Sequence, residues 1–397
     1  MAKMIERSKI LVSCPKGLSS FLAGEILSLG FPVASETASG VMTEGTFEDT
    51  LKLNLFLRTG HRVLYYLEGF MARSPGDLYH GMSRIHWEDY VPADAYLSVS
   101  SSVDHESIRD SRFANMKCKD AIVDRIRSKC GRRPDSGPSR EGVVVFFHWT
   151  EEWCSVYLDT SGEPLSRRGY RKTPLKAPLQ ETLAAAVVMA TGWDGSSHFI
   201  NPMCGSGTLA IEAALIGLNK APGLIRDNYS FMHINGFDAS LWERLKETAR
   251  AESKKDLRAR IIATDVNPEA VETAKRNAAN AGIEDLIEFK TCDFAETPVP
   301  GGEGVVVLNP EYGQRMGEEK FLEELYKRIG DFFKQRCRGY SGYVFTGNPS
   351  LAKKVGLRAK RRVQFFNSTI ECRLLEYELY EGSKKNRRSD EDNAGSE

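Results

Sequence analysis

Four stretches in the second half of the chain set chemically capable residues at or just past apolar runs. Residues 305–315 read VVVLNPEYGQR, so an apolar run stops at Asn309 and Pro310, followed by Glu311 and Tyr312. Residues 199–214, FINPMCGSGTLAIEAA, put Gly205, Ser206 and Gly207 between a strand-like run and an apolar-faced helix that Thr208 opens. RIIATD ends on Asp265, and LIEFKTCDF carries Asp293 near its end. Open α/β sheets bind ligands at the carboxyl ends of their strands. If these strands lie side by side, the residues meet at one edge.

The glycine loop lets a ligand approach the backbone, and the helix start behind it offers unpaired N–H groups to an anion. Gly205-x-Gly207-x-x-Ala210 matches the dinucleotide fingerprint literally, but that fingerprint expects an acid about 20 residues on. Here the strand-end acid, Asp265, comes 58 residues after Gly207. Placed there, Asp265 can accept both hydroxyls of a ribose, and Asp293 can accept from an adenine amino group. A glycine loop, a ribose acid and an adenine acid on successive strands describe an S-adenosylmethionine pocket better than a dinucleotide one. Taken singly, each acid also reads as a solvated loop carboxylate; the ordered trio is what carries the reading.

An exocyclic amino group on a base is a poor nucleophile because its lone pair is delocalised into the ring. The side-chain oxygen of Asn309 and the backbone carbonyl of Pro310 can accept from its two hydrogens and free that lone pair for attack on a methyl sulfonium. Tyr312 can stack on the flipped-out base. This is positioning and electrostatic preorganisation, with no covalent enzyme intermediate. Asn and Pro are also common turn residues, so the motif gains its meaning from the strands that precede it.

The elements that must position these groups are readable as well. From HFI onward the chain alternates strand and helix: TLAIEAALIGL, RIIATD, PEAVETAKRNAANAG, LIEFKTCDF, GVVVLN, KFLEELYKRIGDFFKQ and GYVFTG, an α/β doubly wound, Rossmann-like pattern. Asn267 suits a helix cap, Pro268 the first helical position and Gly282 the stop. The first 160 residues mix helical runs such as FEDTLKLNLFL with alternating strands such as VLYYLEGF and VVVFFHW, an α+β pattern. CGRRPDSGPSREG, 130–142, reads as a loop, and SGEPLSRRGYRKTPLKAPLQ, 161–180, as a basic linker.

The bulk numbers set limits. The 397 residues are 41% hydrophobic and 27% charged, and 54 basic residues balance 54 acidic ones. An RNA partner therefore needs local basic patches. The candidates are Arg132 and Arg133, with Arg140, in the loop, and Arg167, Arg168, Tyr170, Arg171 and Lys172 in the linker; Arg112 and Lys117 are weaker ones. A solvated charged linker is the plain alternative. The eight cysteines are scattered without C-x-x-C pairs or nearby histidines, which predicts no metal site and no disulfide framework. No apolar run is long enough to cross a bilayer or to form a signal sequence, so a cytoplasmic location is expected. His105, His148 and His198 have no acid or nucleophile at catalytic spacing.

FINPMCGSGTLAIEAA, ATDVNPEAVETAKRNAANAG, LNPEYGQR and RRGYRKTPLKAPLQETLAAAVV, with SIRDSRFANMKCKDAIVDRI in the first half, together resemble the THUMP-domain RNA methyltransferases. The similarity is greatest to those that methylate the exocyclic amino group of a guanine in 23S ribosomal RNA, in the form with a single catalytic domain. The resemblance implies a ferredoxin-like region over 1–60, a THUMP RNA-binding domain over 61–160, a basic linker over 161–180, a Rossmann-like class I methyltransferase domain over 181–382 and a disordered tail over 383–397. It implies S-adenosyl-L-methionine as cofactor and RNA, 23S rRNA or a pre-ribosomal particle, as partner. Glu181, Thr182, Asn201, Cys204, Gly205, Ser206, Gly207 and Thr208 would surround the methionine part. Asp265, Val266 and Asn267 would hold ribose and adenine, and Asp293 the adenine edge. Two positions depart from the family pattern: Asn201 stands where an acid is common, and Glu311 replaces the second proline of Asn-Pro-Pro-Tyr.

Overall fold

The computed structural model describes residues 6–172, 179–312 and 319–380. Lys176, the end of the Asn309 motif beyond Tyr312, and the expected tail lie outside the described residues. The chain forms two units, one of residues up to Gly169 together with Lys220–Ser253, the other of Tyr170–Asn219 together with Lys254 onward.

In the first unit, β1 (Ser8–Ser13), α1 (Ser19–Ser28), β2 (Ser35–Thr37), β3 (Gly40–Gly45), α2 (Phe47–Phe56) and β4 (Arg62–Met71) are followed by α3 (Pro75–Arg84), β5 (Tyr96–Asp104), α4 (Ser111–Cys130), β6 (Asp135–Ser136), β7 (Val143–Thr150) and β8 (Trp153–Asp159). Thr46 and Asp49 start α2 with a reciprocal capping box, and Gly131 ends α4 in the left-handed conformation. The strands make one sheet, ordered β2-β3-β1-β4-β8-β7-β5-β6. It runs straight across the expected border at residue 60, because β4 pairs with β1 on one side and β8 on the other.

The second unit contains α5 (Glu181–Thr191), β9 (His198–Pro202) and α6 (Thr208–Gly217); the chain then enters the first unit with α7 (Ala239–Glu252) and returns for β10 (Ile261–Asp265), α8 (Pro268–Asn280), β11 (Ile287–Thr291), β12 (Gly304–Leu308), α9 (Glu319–Arg336), β13 (Tyr340–Thr346), α10 (Pro349–Lys354), β14 (Arg361–Asn367) and β15 (Ile370–Glu378). The sheet order is β11-β10-β9-β12-β13-β15-β14. The first five strands are parallel, and β15 runs antiparallel between β13 and β14. The core packs Ile200, Ile262, Val306, Leu308 and Val344 with Leu322, Tyr326, Ile329 and Phe333 of α9. Strand order reverses between β9 and β12, and that switch point is the ligand crevice of an open parallel sheet.

Residues 220–253 account for the long gap between the glycine loop and Asp265. Within the first unit, the Arg226 guanidinium donates to the carbonyls of Ser161, at 2.7 Å, and Glu163, at 2.8 Å, while Tyr229 stacks on Phe231 and both meet Trp242 edge-on. The segment expected to belong to the catalytic domain thus contributes to the core of the other unit.

The stretch 161–172 is not a solvated linker. Ser161, Gly162, Leu165, Ser166, Arg168 and Tyr170 are all buried. The guanidinium groups of Arg168 and Arg171 find backbone carbonyls, which no composition rule anticipates.

Candidate active site at the switch point

β9 and β12 diverge at the switch point: their ladder ends at the Val306–Ile200 pair. Just beyond, the Asn201 side chain takes over, its Nδ2 donating to the Val307 carbonyl at 2.9 Å. Asn201 is fully buried, yet its Oδ1 has no partner among the described residues. Asn309, directly after β12, likewise has a buried Oδ1 without a partner among the described residues. An unpaired buried amide oxygen costs roughly 1–3 kcal/mol, and two of them lie at the ends of the neighbouring strands β9 and β12. Pro310 is buried and Glu311 exposed.

The loop from β9 to α6 is bent by Met203, Gly205 and Gly207, with φ of 59°, 54° and 81°. Glycine matters for different reasons at the last two. A Cβ on Gly205 would enter open space, where a ligand can lie against the backbone. A Cβ on Gly207 would come within 2.8 Å of the Ala274 side chain, so Gly207 sets how closely α6 approaches α8. Ser206, Thr208 and Cys204 are buried, and burial, then the Asp265 carboxylate, pushes the Cys204 thiol far up, so it stays neutral. The Oγ1 of Thr182, on the first turn of α5, is buried and unpartnered. Glu181, one residue before, sits 3.6 Å from the Arg171 guanidinium.

Asp265 closes the loop, its Oδ2 accepting from the Gly205 amide at 2.9 Å and its Oδ1 from the Asn267 amide at 3.0 Å. Both oxygens keep a lone pair for hydroxyl donors. Val266, just past the end of β10, is an apolar side chain that is 71% exposed. Asn267 caps α8 through the Glu269 amide. Asp293 accepts from the Ala295 amide and, at 2.7 Å, from Arg328. Burial raises its pKa, but the Arg328 and Ala295 hydrogen bonds outweigh burial and hold the carboxyl below its ordinary value.

Tyr312 lies beside β13 and the C-terminal hairpin, its hydroxyl accepting from Asn367 Nδ2 at 2.9 Å. Its pKa is pushed up to about 12 by burial, with Asn367 pulling down and Cys372 pushing up. The phenol is therefore neutral at physiological pH and is no general base.

The expected RNA contacts divide. Arg132, Arg133, Arg167 and Lys172 are exposed, Arg167 pairing with Glu163. Three others are corrected by the structure. Arg168 is 3% exposed and its guanidinium donates to the Leu57, Arg58 and Leu165 carbonyls. Tyr170 is fully buried, with its hydroxyl on Glu212. Arg171 donates to the Leu179 carbonyl and to Thr208 Oγ1. Arg168 and Tyr170 are buried within the fold around them, and Arg171 is partly exposed with its guanidinium engaged.

Residues 168–376 match the family description "RMKL-like, methyltransferase domain". The chain belongs to this family. Residues 9–64 match "RlmL ferredoxin-like domain" and 72–159 "THUMP domain". The "Ribosomal RNA large subunit methyltransferase K/L" of Syntrophotalea carbinolica is 37% identical over 94% of this chain, which spans 54% of that relative. The "Putative RNA methyltransferase slr0064" of Synechocystis is 35% identical over 92% of this chain and 95% of its own length. Among solved structures, "SMU.472, a putative methyltransferase complexed with SAH" superposes with a TM-score of 0.85 at 27% identity, covering 95% of this chain and 100% of its own.

Within this family framework, several supporting residues have little sequence signal. Asn277 donates to the Ser206 carbonyl at 3.0 Å and steadies the glycine loop; its one clue is a polar side chain in step with Ala270, Val271, Ala274 and Ala278 on the buried face of α8. Arg328, which holds Asp293, and Asn367, which holds Tyr312, come from distant segments and leave no local pattern. Among the described residues no group of three or more His, Cys, Asp or Glu could hold a metal, and no helix is long and apolar enough to cross a membrane.

Proposed function

We propose that the chain is an S-adenosylmethionine-dependent RNA methyltransferase acting on the exocyclic amino group of a guanine, with 23S ribosomal RNA as substrate, in the cytoplasm. The observation that carries this reading is the sheltered, unpartnered Oδ1 of Asn309, one residue before Pro310 and beside the switch point. The K/L names of the relatives and the THUMP match supply the RNA and the ribosomal target.

The residues present fit the cofactor. The open side of Gly205, the bare Val266 side chain and the unpaired oxygens of Asn201 and Thr182 are what a methionyl group and an adenosine would cover. Glu181, Thr182, Asn201, Cys204 and Gly205 to Thr208 would hold its methionine part, Asp265, Val266 and Asn267 the ribose and adenine, and Asp293 the adenine edge. When bound, the cofactor supplies a methyl group on sulfonium sulfur. Asn309 Oδ1 and the Pro310 carbonyl accept from the base amino group and localise its lone pair. Tyr312 offers its ring as a stacking surface, worth about 1–3 kcal/mol per base. The proton shed by the amino nitrogen passes to solvent, since neither Asn309 nor the neutral Tyr312 takes it up. Arg132, Arg133, Arg167 and Lys172 are the phosphate contacts, which position RNA without reading its sequence.

The test is to incubate the protein with labelled cofactor and 23S rRNA from a strain lacking it, then locate the label by mass spectrometry. A single guanine methylated on its amino group is expected. Asn309→Ala should lower single-turnover rate by about a hundredfold or more while SAH affinity stays unchanged, by analogy with removal of one preorganised polar contact. Label on adenine or on tRNA alone would reassign the substrate. A second reading, an RNA-binding assembly factor of low catalytic power, rests on Glu311.

A further inference from the structure

The stacking surface proposed above needs a fixed ring, and the Asn309 loop alone does not fix it. Tyr312 follows an exposed glutamate where a rigid proline is usual, so its orientation must come from elsewhere. Two contacts supply it. The Tyr312 hydroxyl is held at 2.9 Å by Asn367 Nδ2, and Cys372 Sγ lies 3.7 Å from the same oxygen. The Cδ2 and Cε2 atoms of the ring lie against Gly347: a Cβ there would come within 3.0 Å of both, and within 2.8 Å of Ile370 Cγ2.

Asn367, Cys372 and Ile370 belong to the hairpin of β14 and β15, the last strands of the sheet. Asn367 pairs with Ile370 across a two-residue turn, and Ser368 in that turn has φ of 57°. A non-glycine residue held there is strained, and such strain collects where a side chain must be aimed. Ile370, at the same turn, is 48% exposed beside the ring.

We propose that the β14–β15 hairpin is the positioning element of the base site. Asn367 anchors the Tyr312 hydroxyl, Gly347 admits the ring edge, and Ile370 extends the same wall toward the substrate base. Asn367 and Gly347 act through Tyr312 and touch no reacting atom. The inference rests on the reading of Tyr312 as the stacking platform.

The test uses the full chain with 23S rRNA. Asn367→Leu removes the donor at similar size, and Gly347→Ala moves the ring edge. Each should lower kcat about tenfold or more, because displacements approaching 1 Å cost on the order of a hundredfold. SAH affinity should not change. Asn367→Asp should restore most of the rate, since the phenol can donate to a carboxylate. Tyr312→Phe should lose rate like Asn367→Leu, and adding Asn367→Leu to it should cost nothing more. Tyr312→Phe removes the same hydrogen bond without altering the hairpin, so it decides the matter if a hairpin variant does not fold. Wild-type kcat in Asn367→Leu and Gly347→Ala, with Tyr312→Ala inactive, would overturn the positioning role and leave the platform standing. Wild-type kcat in Tyr312→Ala would overturn both.

Discussion

Two buried polar regions of this protein are built on opposite terms. In the first unit, Asp159 accepts from the Ser161 and Gly162 amides and pairs with Arg62, whose guanidinium also reaches the Gly162 carbonyl. Ser161 donates to Asn54 Oδ1 at 2.6 Å, and Asn54 Nδ2 donates to Thr160 Oγ1 at 2.8 Å. Every one of these groups closes on another. At the switch point of the second unit, Asn201 and Asn309 each have a sheltered amide oxygen without a partner among the described residues. A satisfied network specifies structure, whereas an unsatisfied one marks a place the protein leaves for something else. Orphaned hydroxyls such as Ser100 and Ser101 occur elsewhere; two amide oxygens on adjacent strand ends beside a glycine loop are a different matter.

The contrast breaks most visibly in the first unit. Arg62→Leu would leave the fully buried Asp159 carboxylate without its cation, a change that costs about 3–5 kcal/mol. Denaturant unfolding should show this loss, and pairing the change with Asp159→Leu should recover much of it. Loss of under 1 kcal/mol would mean the network is slack, and the contrast with the switch point would fail.

Ligand should act on the other region alone. SAH at about a hundredfold over its Kd should add about 2.7 kcal/mol of stability to the second unit. Hydrogen exchange should slow around β9, the glycine loop and the start of α8, with amides of the Asp159 network unchanged. Uniform protection across both units would remove the claim that the orphaned oxygens await a ligand.

How much of this was legible follows from where each residue's partners lie. Buried parallel strands announce themselves as short apolar runs, so GVVVLN and RIIATD mark β12 and β10, and Asn267 with Pro268 marks the start of α8. The fold class and the order of these elements were readable because cap, strand and loop signals are local. The hairpin was not, because β14 and β15 are edge-side strands whose exposed faces carry Arg361, Arg362, Glu371 and Arg373. Nor was the departure of residues 220–253, since Tyr229, Phe231 and Trp242 bury equally well against any apolar surface. The basic stretch misled because Arg168 and Arg171 bond to carbonyls from segments remote in sequence or in an otherwise polar run.

Glu311 sharpens the comparison at the site itself. It is exposed beside the buried Pro310, and Pro at 311 would stiffen the segment that aims the Pro310 carbonyl. Glu311→Pro should speed single-turnover methylation several-fold, roughly 1 kcal/mol of barrier. A variant no faster than wild type would show that the hairpin already supplies the needed order, and would also remove the support for a catalytically weak reading.

The smallest effect expected lies at Asp293, where the two styles of construction meet. One oxygen is tied to Arg328 and the Ala295 amide, and Oδ2 has no partner among the described residues. The pair is partly exposed, so it contributes about 0–1 kcal/mol to stability. Its larger consequence is electrostatic. Because the folded-state pKa is depressed, the ionised carboxylate's contribution is present above the ordinary Asp value and is lost as pH falls through the lowered one. Arg328→Ala removes the main depressing contact while burial still pushes upward, so the loss must begin at higher pH. SAH affinity measured by calorimetry should match wild type near pH 7 and fall earlier than wild type on acidification. Superimposable acid limbs would mean that Asp293 does not meet the adenine, and that Arg328 is only a surface tie.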